Sequence, residues 1–293
     1  MLEFRTVEIT DLERAKRLLS YSDYRGCEYS FANNLAWAKH YRSKVAFFEE
    51  FYISCSEHDG LYFTFPAGRG DLKRVIEEMR SYAESKGQPL VIGSVDDERC
   101  ERLREIYHDS FDIVQDPDGY DYIYNSADLI GLAGKKYHGK RNHLKKIYGY
   151  DFSYSEMTDA DFDDCIVFAA QHYNSRDGAS DDSQVGEQYA INTFFGYFHE
   201  LGLSGGVLRI DGNVAAFTIG EQLNSDTLDI HIEKADPEIN GAYPAINNFY
   251  AKQAAADLKY INREEDLGIE GLRKSKLSYY PAFMQVKNIA VFK

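Results

Sequence analysis

The sequence predicts an α/β (α+β) fold built twice over, as two tandem units, each a mixed twisted sheet flanked by helices. Three observations carry this. Short apolar strands alternate with amphipathic helices throughout. The order of elements recurs at an offset of 169 residues, which lays Val91 on Tyr260, Asp96-Asp97 on Glu265-Asp266 and Leu103-Arg104 on Leu272-Arg273. Between the two copies lies a basic stretch, Lys135 to Lys146, with six Lys/Arg in twelve residues and no acid, in a chain of formal net charge −15. A repeat period this long means a duplicated domain and not a solenoid. The expected division is 1–125, a basic connecting helix over 126–150, and 151–293.

In the first half, Leu2 to Thr10 alternates as a strand, and Thr10-Asp11 offers a cap for a helix reaching Ser20. A second helix covers Phe31 to His40. Strands follow at Val45 to Ser54 and Leu61 to Phe65, around the turn His58-Asp59-Gly60. Asp71 caps an amphipathic helix whose Leu72, Val75, Ile76 and Met79 recur at helical spacing, and Lys86-Gly87 ends it. Leu90 to Val95 reads as a buried strand, Asp96-Asp97 opens another helix, and Phe111 to Val114 and Tyr120 to Tyr124 close the half as strands.

The second half repeats the pattern. A strand at Phe152 to Met157 precedes helices from Asp159 and over Glu187 to Leu201. Asp211-Gly212-Asn213 turns a hairpin between Ser204 to Ile210 and Val214 to Glu221. Then come a strand at Leu228 to Glu233, a helix from Ala242 to Leu258, a strand at Tyr260 to Arg263, a helix from Ile269 to Lys276 and a last strand from Phe283 to Phe292. The polar segment Gly178 to Gly186, with Asp177, Asp181 and Asp182, reads as a loop near the cleft.

Composition narrows the function. A pI near 5.0 argues against nucleic-acid binding by the whole surface, yet leaves room for one basic groove. The basic stretch is either such an anion site or a solvated helix face. Cys27, Cys55, Cys100 and Cys165 are scattered without a CxxC, as reduced core thiols of a cytoplasmic protein are. No apolar run is long enough for an export signal or a membrane span.

The strand Thr227 to Glu233 alternates strictly, with Leu228, Ile230 and Ile232 on one face and Asp229, His231 and Glu233 on the other. A polar face on a central strand lines a cleft or lies at an edge. Residues four apart on a strand are about 13 Å apart, so these three do not readily converge on one ion, and no metal or required cofactor is expected. Acid–base work or the orienting of an amine suits them better. Asn240-Gly241 precedes a helix, whose free N–H groups form an anion site.

The element order β-α-α-β-β-β-α-β-α-β is that of the GNAT acyltransferase fold. Two such units resemble the Fem-type aminoacyltransferases and, more sharply, the C-terminal domain of phosphatidylglycerol lysyltransferases. The motifs are the basic helix over Arg141 to Lys146, Asp229 followed by Pro237-Glu238-Ile239-Asn240-Gly241, and the run Asp266-Leu267-Gly268…Gly271-Leu272-Arg273-Lys274-Ser275-Lys276…Pro281-Ala282-Phe283. They span about Asn125 to Lys293 and depart from the family pattern at Asp266, Tyr279 and Phe283. The family's membrane-embedded part has no counterpart here, which speaks against a lipid acceptor.

The resemblance implies aminoacyl transfer from aminoacyl-tRNA to a small amine or hydroxyl acceptor. It places Asp229 at the chemistry, and the alternation of the strand sets His231 and Glu233 on the same face as further candidates. Lys140, Arg141, Lys145 and Lys146 meet the tRNA, and Arg273 and Lys276 clamp a phosphate or carboxylate. Two alternatives stay open: N-acyl transfer from acetyl-coenzyme A or another acyl-coenzyme A, and a silent scaffold binding an anion or RNA. In GNAT enzymes the loop at Glu238 to Tyr243 cradles the coenzyme A pyrophosphate, and an acid at its start and a Tyr at its end disfavour that ligand.

Overall fold

The computed structural model describes residues 2–58, 60–173 and 181–293. Its contacts divide the chain into two compact units. The first is Met1–Asp121 with Glu265–Gly268 and Met284–Lys293, and the second is Tyr122–Glu264 with Ile269–Phe283. The linear division into 1–125, 126–150 and 151–293 contains no such exchange of segments.

The elements of the first half are β1 (Arg5–Thr6), α1 (Leu12–Ser20), α2 (Phe31–Ala36), β2 (Lys44–Phe48), β3 (Phe51–Ser56), β4 (Tyr62–Thr64), β5 (Ala67–Gly68), α3 (Leu72–Ser85), β6 (Val91–Val95), α4 (Asp97–Tyr107) and β7 (Phe111–Val114). Then come β8 (Asp121–Asn125), α5 (Ser126–Gly131), α6 (His138–Lys145), β9 (Phe152–Glu156), α7 (Phe162–Tyr173), α8 (Asp181–Gly196), α9 (Phe198–Leu201), β10 (Ser204–Ile210), β11 (Asn213–Gln222) and β12 (Thr227–Ala235). The chain closes with α10 (Ala242–Ala254), β13 (Tyr260–Asn262), α11 (Glu270–Leu277), β14 (Phe283–Gln285) and β15 (Asn288–Phe292).

One sheet runs β1-β2-β3-β4-β6-β15-β7, with β5 paired to β3, and the other runs β14-β8-β13-β12-β11-β10-β9. Each contains a parallel pair bridged by a helix: β4 and β6 around α3, and β12 and β13 around α10. Parallel neighbours require such a crossover. The helix expected from Asp71 and its counterpart near Asn240 are these two crossovers, so the offset of elements is real at this level.

Local chemistry accounts for the boundaries. The Asp71 carboxylate accepts from Arg74 N at 3.1 Å and so caps α3. Val75, Ile76 and Met79 of α3 are buried against Ile53, Phe63 and Ile92. Asp71→Ala should destabilise the chain by about 1 kcal/mol, read as a lowered urea midpoint at constant slope. In the second unit Ala242, Ala245 and Ile246 of α10 cover Leu208, Ala216 and Ala235, where small residues let the helix lie close to the sheet.

Three expected elements are shaped differently. The strand Leu2 to Thr10 shrinks to β1, because a 3-10 turn at Ile9–Asp11 takes over its end. Val45 to Ser54 is a hairpin, with Glu49 at φ 51 between β2 and β3. The last strand is two, and its halves join different sheets. Lys287, between them, turns inward. Its ammonium meets Asp121 at 2.5 Å, Glu28 at 3.2 Å and Glu265 at 3.5 Å. Asp59, Asp177 and the 178–180 part of the expected loop Gly178 to Gly186 lie outside the described residues, and residues 181–186 open α8. The four cysteines are buried and not joined in disulfides. Among the described residues no helix is long and apolar enough to cross a membrane.

Candidate active site

The strict alternation expected along β12 is broken by a bulge. Ile232 stands opposite Ile219 and Ile230 opposite Gly220, so His231 is one residue in excess of its partner strand. Gly220 is required there, since a Cβ on it would lie 2.3 Å from the Asp229 carbonyl oxygen. The extra residue reverses the sides. His231 stacks on Phe194 of α8, with ring centroids 5.1 Å apart, and Asp229 stays beside it. Glu233 instead accepts from Asn247 Nδ2 of α10 at 2.9 Å and from Arg263 Nη2 at 2.7 Å.

His231 is thus the centre of a carboxylate cage. Its Nδ1 lies 3.1 Å from Glu264 Oε1 and 3.8 Å from Asp229 Oδ2, and its Nε2 lies 3.4 Å from Glu221 Oε1. Burial of the ring opposes protonation, but the three carboxylates outweigh it and hold the imidazole pKa well above its ordinary value. The cage therefore favours the protonated ring, which suits His231 to positioning a neighbouring carboxylate, one of the two roles expected of it. The sign for stability follows. A group raised on folding contributes stability that is fully present below its unfolded value, near 6.5, and lost as pH rises through the folded one. Between neutral and alkaline pH the parent's urea midpoint should fall further than that of His231→Gln.

Glu264 is the accessible member. The His231 side chain is 0% exposed and that of Glu264 19%. It follows β13 in the left-handed region, at φ 54. Three contacts hold it there: its N–H donates to Asn262 Oδ1 at 2.7 Å, and its carbonyl accepts from Tyr122 N at 3.2 Å and from Lys276 Nζ at 3.1 Å. Strain of this kind persists only where surroundings impose it, and it recurs at functional sites. Lys276 also donates to the Arg263 carbonyl at 2.6 Å, so it fixes the backbone under Glu264 and its ammonium is engaged there.

The basic stretch lies wholly in the second unit. Lys140 donates to Ser278 Oγ at 2.6 Å and sits 3.6 Å over the Tyr279 ring. Arg141 donates to the Leu132 and Gly134 carbonyls, the latter at 2.7 Å, and so ties the α5–α6 connection. Lys145 and Lys146 are exposed. Asn240 is exposed, and Gly241, at φ 96, begins α10 against the end of α6: a Cβ there would meet the His143 carbonyl oxygen at 2.8 Å and Ile147 N at 3.0 Å. Arg273 is half-buried on α11.

Among the described residues two groups offer metal-ligand atoms within 4.8 Å of one another: Asp229, His231 and Glu264, and Cys27, Asp121 and Glu265. The first is built around the His231 ring itself, and in the second the Lys287 ammonium meets Asp121 at 2.5 Å.

Of the residues gathered here, sequence reasoning named Asp229 and His231 and passed over Glu221, Glu264 and Arg263. Glu264 carried one usable signal: it lies just past the end of a strand of a parallel pair, where α/β sheets place ligands. Glu221 had none, since only the β11–β12 register brings it opposite Asp229.

The model of the phosphatidylglycerol lysyltransferase C-terminal family matches residues 20–290. The chain belongs to this family. The family thus takes in most of the first unit as well as the motifs after Asn125. A conserved protein of unknown function from Bacteroides thetaiotaomicron VPI-5482 is 33% identical, with TM-score 0.93 and 100% of each chain covered. The C-terminal domain of a putative lysylphosphatidylglycerol synthetase from Agrobacterium fabrum is 15% identical, with TM-score 0.66 over 96% of this chain and 91% of that one. FemX is 8% identical, with TM-score 0.65 over 99% and 97%. No curated protein matches the sequence. The fold of this family member is the tandem acyltransferase-like one, with two mixed sheets flanked by helices.

Proposed function

We propose that the protein transfers an aminoacyl group from aminoacyl-tRNA to an amine or hydroxyl acceptor. The observation that carries this reading is the Glu264 carboxylate, accessible and strained, backed by a caged imidazolium at the end of the β12–β13 parallel pair. Family membership points the same way, since a lysyltransferase forms an aminoacyl ester.

In the reaction, the acceptor N–H or O–H attacks the ester carbonyl carbon. The new C–N or C–O bond forms as the bond to the ribose oxygen breaks. Glu264 takes the proton of the acceptor and returns it to the ribose oxygen, so no net proton is consumed. His231 does not touch the substrate. It is a positioning residue that holds the Glu264 carboxylate by a charge-assisted hydrogen bond. Asp229 and Glu221 keep that imidazolium charged.

The close seat of Gly241 on the end of α6 favours this donor over coenzyme A, whose pyrophosphate would need the N–H end of α10 open. For tRNA, Lys145 and Lys146 are exposed cations at the end of α6. Gel shifts with bulk tRNA should weaken steeply as salt rises, and Lys145→Ala or Lys146→Ala should each lower the log–log slope by about 0.7–0.9. Absence of binding at low salt, or a double variant that binds as the parent does, would remove tRNA as the donor.

A further inference from the structure

Beside the caged imidazolium lies a second buried charge group, and its balance is positive. Lys140 and Arg263 approach the same ring, that of Tyr279, with Lys140 Nζ 3.6 Å and Arg263 Cζ 5.0 Å from its centroid. One carboxylate serves them both, that of Glu233. Its two oxygens are already engaged, Oε1 by Arg263 Nη2 at 2.7 Å and Oε2 by Asn247 Nδ2 at 2.9 Å. Two cations and one anion leave a surplus charge of +1.

One donor is also left over. The Arg263 side chain is 10% exposed, and its Nη1 is enclosed with no hydrogen-bond partner. A buried guanidinium N–H without an acceptor is costly, and natural sites with such a group complete it with a ligand or water. Lys140 is the more accessible partner. Burial first, and then the charge of Arg263, push its pKa down to about 8. The second of these causes, repulsion by Arg263, is what an anion placed between the two cations would offset.

We propose that Lys140 and the free N–H edge of Arg263 form a subsite for a phosphodiester monoanion, with the Tyr279 ring as its floor. A single negative charge matches the surplus, whereas a phosphomonoester would overcompensate it. Two non-bridging oxygens match one planar guanidinium donor and one point-charge ammonium. The ligand enters at Lys140, whose hydrogen bond to Ser278 Oγ is replaced by one to phosphate. A phosphodiester of this kind is present both in a tRNA acceptor end and in a phospholipid headgroup. Which substrate owns it rests on the transfer reading above, but binding can be measured without turnover.

The test is calorimetric titration of the full chain with cytidylyl-adenosine, with glycerophosphoglycerol and with acetate at one ionic strength. One of the two phosphodiesters should bind, and its identity tells the nucleic-acid source from the lipid one. Lys140→Gln should weaken that binding at least tenfold with an unchanged thermal midpoint. Arg263→Lys, which keeps the charge beside Glu233 but loses the second N–H, should weaken it comparably. The subsite is overturned by failure of both phosphodiesters to bind, by undiminished binding to Lys140→Gln, or by acetate binding as tightly. Transfer that depends on Glu264 would survive that result, so the two readings fail separately.

Discussion

Glu264→Gln should lower the rate of aminoacyl transfer by about 10²–10⁴, the range that a positioned general base contributes, while leaving the fold intact. The amide keeps the shape of the side chain and can still accept from His231 Nδ1, the 3.1 Å contact of the native site. What it loses is the capacity to take a proton. Substrate binding should persist, so the loss falls on kcat and leaves KM near that of the parent. His231→Gln makes the contrasting case. The carboxylate remains but its orientation slackens, so a partial loss is expected, together with a pH profile that differs from the parent's. Equal rates for Glu264→Gln and the parent, measured by acyl release from aminoacyl-tRNA, would sink the role of this carboxylate and with it the proposed chemistry.

The second large effect concerns stability. Lys287→Met should destabilise the first unit by about 3–5 kcal/mol, because it removes the one cation among three enclosed carboxylates. The ammonium meets Asp121, Glu28 and Glu265 at 2.5, 3.2 and 3.5 Å, and Asp121 is 0% exposed. Burial works against the charged ammonium, but these acids and the Cys27 sulfur at 3.4 Å more than offset it and raise its pKa well above the ordinary value. A fall in Tm of about 10 °C is expected from a change of this size. Adding Asp121→Asn should restore part of the loss, since it removes one of the stranded charges. A drop below about 1 kcal/mol for Lys287→Met alone would mean that the acids share protons and do not depend on the lysine.

Lys287 and Glu264 also show where a linear reading stops. Both stand at points where the chain passes from one compact unit to the other, in stretches that a period of 2 or of 3.6 treats as ordinary strand ends. Asp229 and His231 were legible because polar residues on an otherwise apolar strand break its pattern. Glu233 was assigned to the same face by that logic, and the bulge at His231 placed it on the other. A bulge is set by how two strands meet, and neither strand encodes it alone.

By itself the sequence determined the duplicated order of strands and helices, the cap of α3 at Asp71, the buried stripe Val75, Ile76 and Met79, and the basic stretch in the middle. These depend on local periodicity and on backbone groups a few residues apart, where side-chain identity decides the free energy. Only the tertiary structure decided that the last residues split between two sheets, that three carboxylates from β11, β12 and the end of β13 converge on one imidazole, and that Lys276 and Arg141 bind backbone carbonyls. Those arrangements join groups far apart in the chain. Their energies depend on distance and burial, so the upward shift of the His231 imidazole exists only once the cage has closed around it.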